Sequence, residues 1–189
     1  MNARNSRRGF IKQALLLGGI SSLVNQRLLS GEETECDAKL TALFVKLQQR
    51  EMKEKASLFR KLIDEFGEGV LEIVKNEVIA ATRDRLKNAE LSNRSLTAVM
   101  ENLWNHTQAT HQFEVVQQTA HFLQLKVTQC LYAEEMRRMN AADIGLAFYC
   151  AYDYGFCQGL NPQIEFTRTK TLMQGDDCCD HAYKLLGKN

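Results

Sequence analysis

The chain predicts an α+β fold, in which N-terminal helices pack against a C-terminal antiparallel sheet that carries one inserted helix. Three observations lead there. Apolar residues recur at helical spacing through the first half of the chain, from Leu40 to Trp104. After His111 the pattern changes, and Leu123, Leu125 and Val127 alternate with Gln124, Lys126 and Thr128, the period of a half-buried strand. Pro162 is the only proline, and Leu, Lys and Glu are abundant, which favours helices in the remainder.

The elements follow in order. Residues 37–66 read as one helix, with Leu40, Leu43, Phe44, Leu47, Leu58, Phe59, Leu62 and Phe66 as its core stripe. Gly67 and Gly69 break it. Val70, Leu71, Val74, Val78 and Ile79 mark a second helix to about Leu86. Ser92 and Asn93 punctuate, and a third helix carries Leu96, Val99, Met100, Leu103 and Trp104. Val115 and Val116 form a short apolar pair ahead of the alternating strand, and residues 131–139 receive no element. Asn140 is suited to cap a helix from Ala141 to about Tyr154. Gly155, Gly159, Asn161 and Pro162 read as a loop. Ile164 to Met173 is β-rich, Gln174 to Asp177 reads as a hairpin turn, and Cys178 to Leu186 as the returning strand.

The N-terminus has a different character. Ser6-Arg7-Arg8-Gly9-Phe10-Ile11-Lys12 is followed by an apolar run from Ala14 to Val24, softened by Gly18 and Gly19, with no acidic residue before Glu32. Paired arginines ahead of a modest apolar run are the pattern of a twin-arginine export signal. Residues 1–31 are therefore expected to be a leader, the twin-arginine translocase an export partner, and the periplasm or exported membrane face of a bacterium the destination. The apolar run is shorter than the ~20 residues that span a bilayer comfortably. Glu32 stands where a lipoprotein box would place cysteine after Leu28-Leu29-Ser30-Gly31, so lipidation is not expected. Cleavage near Ser30 and retention as an anchor both stay open.

Residues 32–189 then form one domain. The leader holds five basic residues, which leaves 19 against 23 acidic ones in the body. A mildly acidic body argues against a nucleic-acid partner, which selects a basic face.

Five of the six cysteines, Cys130, Cys150, Cys157, Cys178 and Cys179, lie in the last third, and Cys36 stands apart. Disulfides, a metal or cluster site, and a catalytic pocket compete to explain them. An even count in an exported chain suits disulfides, although the adjacent Cys178 and Cys179 cannot easily bridge each other. The spacings match no zinc or cluster signature, so neither a metal nor a cofactor can be named. For a pocket, Cys150 and Asp153 share a helix face with Tyr154 beside them. On a strand, Cys179 and His181 point one way and Asp180 the other. Arg168 shares a face with Ile164 and Phe166, and a charge there needs a partner. It serves either as a salt bridge at the sheet edge or as a clamp for a substrate carboxylate. His106 and His111, five apart, read as surface residues.

These residues carry a resemblance. Leu125-Lys126-Val127-Thr128-Gln129-Cys130, then Cys150-x-x-Asp153, then Asn161-Pro162, then Phe166-Thr167-Arg168-Thr169-Lys170-Thr171-Leu172-x-x-Gly175 and Cys179-Asp180 resemble the L-2-amino-thiazoline-4-carboxylic acid hydrolase family. The layout is similar from residue 40 to 186, and the motifs are specific from Leu125 onward. One departure is His181, where the family has an aromatic residue after Cys-Asp. The resemblance implies a hydrolase that opens a cyclic amidine-like C–N bond of a small carboxylate-bearing heterocycle. It implies Cys150, Asp153, Cys179 and Asp180 as catalytic residues, with Arg168, Thr169, Thr171 and Cys130 binding substrate. The alternative is an exported, non-enzymatic accessory protein whose cysteine-rich third holds a metal or a partner. If the chain is the hydrolase, Cys130, Cys150, Asp153, Arg168, Cys179 and Asp180 should converge on one pocket.

Overall fold

A computed structural model describes residues 35–187, with side chains from Asp37 on. The expected leader lies outside these residues, as does the side chain of Cys36.

Two long helices come first, α1 (Glu35–Phe66) and α2 (Gly69–Lys87), followed by short α3 (Thr97–Asn102) and a 3-10 turn at Trp104–His106. Strands β1 (His111–Gln118) and β2 (Phe122–Cys130) follow, then α4 (Leu131–Arg138) and α5 (Ala142–Gly145). A π-helical turn, Leu146–Cys150, leads into α6 (Tyr152–Leu160), and β3 (Ile164–Thr167) and β4 (Cys179–Leu185) complete the fold. The four strands form one antiparallel sheet in the order β1-β2-β4-β3. Helices first and an antiparallel sheet after is the α+β class expected.

The sheet buries Leu123, Leu125 and Val127 of β2 against Cys179, His181 and Tyr183 of β4, whose alternation follows from strand geometry. Trp104 donates its indole N–H to the Tyr183 hydroxyl at 3.0 Å, which satisfies both polar groups inside the core. A second cluster lies under α1, where Met52 and Ala56 pack with Ala133, Met136 and Ile144. The α1 stripe expected from the sequence is only partly used. Leu40, Leu43, Leu47, Leu58 and Phe66 are exposed, because α1 turns its Met52 face to the body.

Three local readings are corrected. Gly155 and Gly159 do not end a helix; they lie inside α6. A Cβ on Gly155 would sit 2.5 Å from the Ile79 carbonyl oxygen, and one on Gly159 would meet the Arg83 carbonyl, so these glycines let α6 lie directly on α2. Asn140 is not the N-cap of the following helix, whose N-cap is Ala141. Its φ of 52° places it in the left-handed region just after α4, where it ends that helix. Residues 174–177 are not a hairpin turn, because β3 and β4 are joined by the whole segment 168–178. The Asp176 carboxylate accepts from the Thr171 amide, and Asp180 accepts from the amides of Thr169 and Lys170, so acidic side chains fold this segment inward.

Arg94 was not singled out by the sequence. Its guanidinium donates to the carbonyls of Leu86 and Ala89 at the end of α2 and of Gly159 and Leu160 in the last turn of α6. One cation thus satisfies the exposed C-terminal carbonyls of two helices.

Candidate active site

A cavity of about 360 Å³ opens between the sheet, α1, and the stretch from the π-helical turn into α6. Five of the six residues expected to converge, Cys130, Cys150, Asp153, Arg168 and Cys179, line it, as does Thr171. Asp180 and Thr169 are not in its wall. Asp180 faces the other side of β4 and holds the segment after β3, partly through the Thr169 hydroxyl.

The polar centre of the cavity is a buried cluster. Arg168, just past the end of β3, donates through Nη1 to Asp153 Oδ2 at 2.7 Å and through Nη2 to the Cys150 carbonyl at 3.2 Å. Its side chain is 7% exposed and that of Asp153 15%. His181 Nε2 lies 3.3 Å from both Asp153 Oδ2 and Arg168 Nη1. Burial alone would raise the Asp153 carboxyl. The His181 hydrogen bond and the charges of His181 and Arg168 outweigh it and hold Asp153 below the usual carboxylate range. Both sequence readings of Arg168 therefore bear on one residue: it has a protein carboxylate as partner, and two bonds use only part of its five N–H donors.

The π-helical turn sets the phase of this wall. The Ala151 amide bonds to the Leu146 carbonyl, a five-residue closure that presents Tyr149 and Cys150 to the cavity ahead of Asp153. The hydroxyl of Tyr149 and Nδ1 of His181 are buried without a hydrogen-bond partner among the described residues. Buried polar atoms in a cavity wall are the groups a bound molecule would satisfy.

The described cysteines Cys130, Cys150, Cys157, Cys178 and Cys179 are free thiols. Burial pushes the Cys150 thiol up to about 11 despite the opposing charge of Arg168, so it rests protonated. Its sulfur lies 3.9 Å from Thr171 Oγ1. Cys179 Sγ lies 3.7 Å from the same oxygen and accepts from the Leu172 amide at 3.2 Å. Cys157 is buried in the core with Phe156 and Leu160. Among the described residues no three of His, Cys, Asp and Glu are grouped to hold a metal ion.

His111 is the main correction. Expected on the surface, it stands in the cavity wall, with Nε2 3.3 Å from Cys130 Sγ and Nδ1 2.9 Å from Thr110 Oγ1. Trp104 lies edge-on to both His111 and His181. The sequence offered only a histidine at the start of an unassigned strand; the signal was its place opposite Cys130 in the β1–β2 ladder.

A family model described as L-2-amino-thiazoline-4-carboxylic acid hydrolase matches residues 40–183. That span holds α2 to α6, most of α1 and the cavity wall. No curated protein matches the chain.

Proposed function

Because the chain belongs to the L-2-amino-thiazoline-4-carboxylic acid hydrolase family, we propose that it hydrolyses a C–N bond in a small cyclic amidine that bears a carboxylate, within the cavity around Arg168 and Asp153. The observation that carries this reading is the buried Arg168–Asp153–His181 cluster in the wall of a cavity of small-molecule size.

Hydrolysis of an amidine requires an attacking oxygen, an acceptor for its proton and a donor for the leaving nitrogen. In this proposal the free donors of Arg168 hold the substrate carboxylate, since guanidinium binds carboxylate through parallel bonds. Asp153, kept ionised, orients the hydrolytic water. His181 sits against Asp153 and fixes the orientation of that carboxylate. Thr171 and the thiols of Cys150 and Cys179 shape the wall beside the substrate. Asp180 and Thr169 contribute by fixing the segment that presents Arg168.

The test is turnover of 2-amino-thiazoline-4-carboxylate by the purified chain, followed by loss of the ring signal in NMR. The decarboxylated analogue is expected to show kcat/KM lower by about a hundredfold, matching the loss of charge-assisted hydrogen bonds worth ~3 kcal/mol. Equal rates for the two compounds would remove Arg168 from substrate binding.

We also propose that residues 1–31 direct export of the folded chain by the twin-arginine route, on the strength of Arg7-Arg8, the apolar run behind them and the absence of acidic residues. Replacing both arginines with lysine is expected to leave the protein in the cytoplasmic fraction of bacterial cells. Unchanged fractionation would rule the signal out.

A further inference from the structure

The hydrolase reading leaves open which atom attacks the amidine carbon first. The cavity holds one pair built like an activated nucleophile, and it is not among the thiols singled out as catalytic from the sequence. Cys130 Sγ and His111 Nε2 are 3.3 Å apart across the β1–β2 ladder, where the two residues are direct partners.

The hydrogen bonds admit an imidazole state suited to a base. Thr110 Oγ1 lies 3.0 Å from the Thr107 carbonyl and 2.9 Å from His111 Nδ1. With the hydroxyl hydrogen on the carbonyl, that oxygen accepts from Nδ1, so Nδ1 carries the proton and Nε2 presents a lone pair to the Cys130 thiol, the tautomer that a base requires. Thr107, Thr110, His111 and Cys130 thus form an oriented base and nucleophile, with a third group holding the base. The sulfurs of Cys150 and Cys179 instead contact Thr171 Oγ1, and Cys179 also the Leu172 amide; none of these is a base.

The backbone builds this pair deliberately. Leu123, Leu125 and Val127 face inward on β2, and strict alternation would turn Gln129 inward and Cys130 away. The register shifts between Gln112 opposite Gln129 and Phe113 opposite Val127, so Thr128 is an extra residue on β2. This bulge flips the parity and returns Cys130 to the cavity beside His111. Bulges that re-aim a side chain collect next to active sites.

From the oriented pair and the bulge that builds it, we propose that Cys130 is the nucleophile of this chain, with His111 as its base, for a carboxylate-bearing cyclic amidine. The inference rests on the hydrolase reading. As the thiol proton moves to His111 Nε2, sulfur bonds to the amidine carbon of the 2-imino tautomer and the C=N electron pair shifts to the exocyclic nitrogen. That pair returns to re-form C=N as the ring C–N bond breaks, and the departing ring N–H takes the proton from His111 to become an amine. This leaves the opened substrate attached to Cys130 as a thioimidate. Water adds to the same carbon and gives its proton to His111. The carbon–sulfur bond to Cys130 breaks, the thiolate recovers that proton, and the product leaves with the water oxygen. One water is consumed and no oxidant or reductant is needed. Both groups rest neutral, since burial pushes the Cys130 thiol up to about 12 and His111 down to about 4, so in this scheme the proton moves only as the sulfur–carbon bond forms.

The test has two arms on the full chain. In the first, wild type is mixed with 2-amino-thiazoline-4-carboxylate, quenched in acid and mapped by mass spectrometry. The expected result is a substrate adduct on the Cys130 peptide, with Cys130→Ser losing turnover by on the order of 10³-fold or more. In the second, 2-chloroacetamidine is applied without substrate. Cys130 is expected to be alkylated before Cys150 and Cys179, and His111→Gln to slow that labelling about tenfold by removing the base. An adduct on another cysteine, or Cys130→Ser turning over within tenfold of wild type, would overturn the assignment. So would labelling of Cys150 or Cys179 ahead of Cys130, which needs neither turnover nor a variant. Absence of turnover by wild type sinks the hydrolase reading instead, and the labelling arm still decides whether Cys130 and His111 form an activated pair.

Discussion

Replacing Arg168 with methionine is expected to lower the unfolding free energy by about 3–5 kcal/mol, the cost of removing the guanidinium partner of a buried carboxylate and leaving it only the His181 contact. The size follows from geometry. Arg168 and Asp153 are both largely withdrawn from solvent and meet at 2.7 Å, so neither side chain can turn to water when the other is removed. Screening by solvent, which makes exposed pairs nearly worthless, does not help here. The pair as a whole is a different quantity from its broken form. Its attraction is offset by the desolvation of both charges, so Arg168→Met combined with Asp153→Leu is expected to recover most of the loss. Urea unfolding of the two single variants and the double variant closes the cycle. A single-variant cost below about 1 kcal/mol would mean that water reaches the pair after all. The penalty of Arg168→Met is also expected to shrink on acidification, because a buried Asp153 that has lost the guanidinium relieves itself by taking up a proton. The double variant should fold and show no turnover, which separates the role of these charges in the fold from their role in the chemistry.

How much of this was legible beforehand depends on the range of the interaction. Cys150 and Asp153 belong to one stretch of helix, and Cys179 and His181 to one strand, so local periodicity was enough to put each pair on a common face. Arg168 broke an apolar pattern, and that break pointed to a partner without naming Asp153. What was missed required knowledge of other elements. Gly155 and Gly159 looked like turn residues because nothing local distinguishes a glycine that frees a backbone from one that admits a neighbouring helix; the reason lies in the carbonyls of Ile79 and Arg83 on α2. Asp180 took a catalytic role only from its place beside Cys179 in the motif, although strand alternation already sent it to the opposite face; what the sequence did not show is that the amides of Thr169 and Lys170 occupy it there. His111 was placed on the surface because its partner Cys130 is brought opposite only by the β1–β2 pairing, and because the bulge at Thr128 cannot be read from a pattern that assumes strict alternation.

That buried His111 makes stability depend on pH in a defined window. Burial is the main cause that lowers its pKa from the ordinary 6.5 to about 4; the charge of His181 adds to this, while Asp153 and a hydrogen bond with the Thr107 backbone oppose it. Between these two values the unfolded chain binds a proton at His111 that the folded chain refuses. Unfolding is therefore favoured as protons become available. The contribution is fully present above about pH 6.5, falls as pH drops through the window, and is lost below about pH 4. At about 1.36 kcal/mol per unit of pKa, the loss from this one group approaches ~3 kcal/mol. Asp153 acts in the same direction at lower pH, since a depressed carboxyl stabilises above its unfolded pKa and ceases to as pH falls through its folded one. The two are separable by mutation. His111→Gln keeps a polar side chain at the site but cannot titrate, so its unfolding free energy should run nearly flat from pH 6.5 to 4.5, where wild type declines. The slope change should appear in urea unfolding at a series of pH values, with Cys130→Ser as the comparison that retains the imidazole. Parallel slopes in wild type and His111→Gln would show that His111 protonates in the folded state at its ordinary pKa. In that case its Nε2 could not rest as the acceptor for the Cys130 thiol below neutral pH.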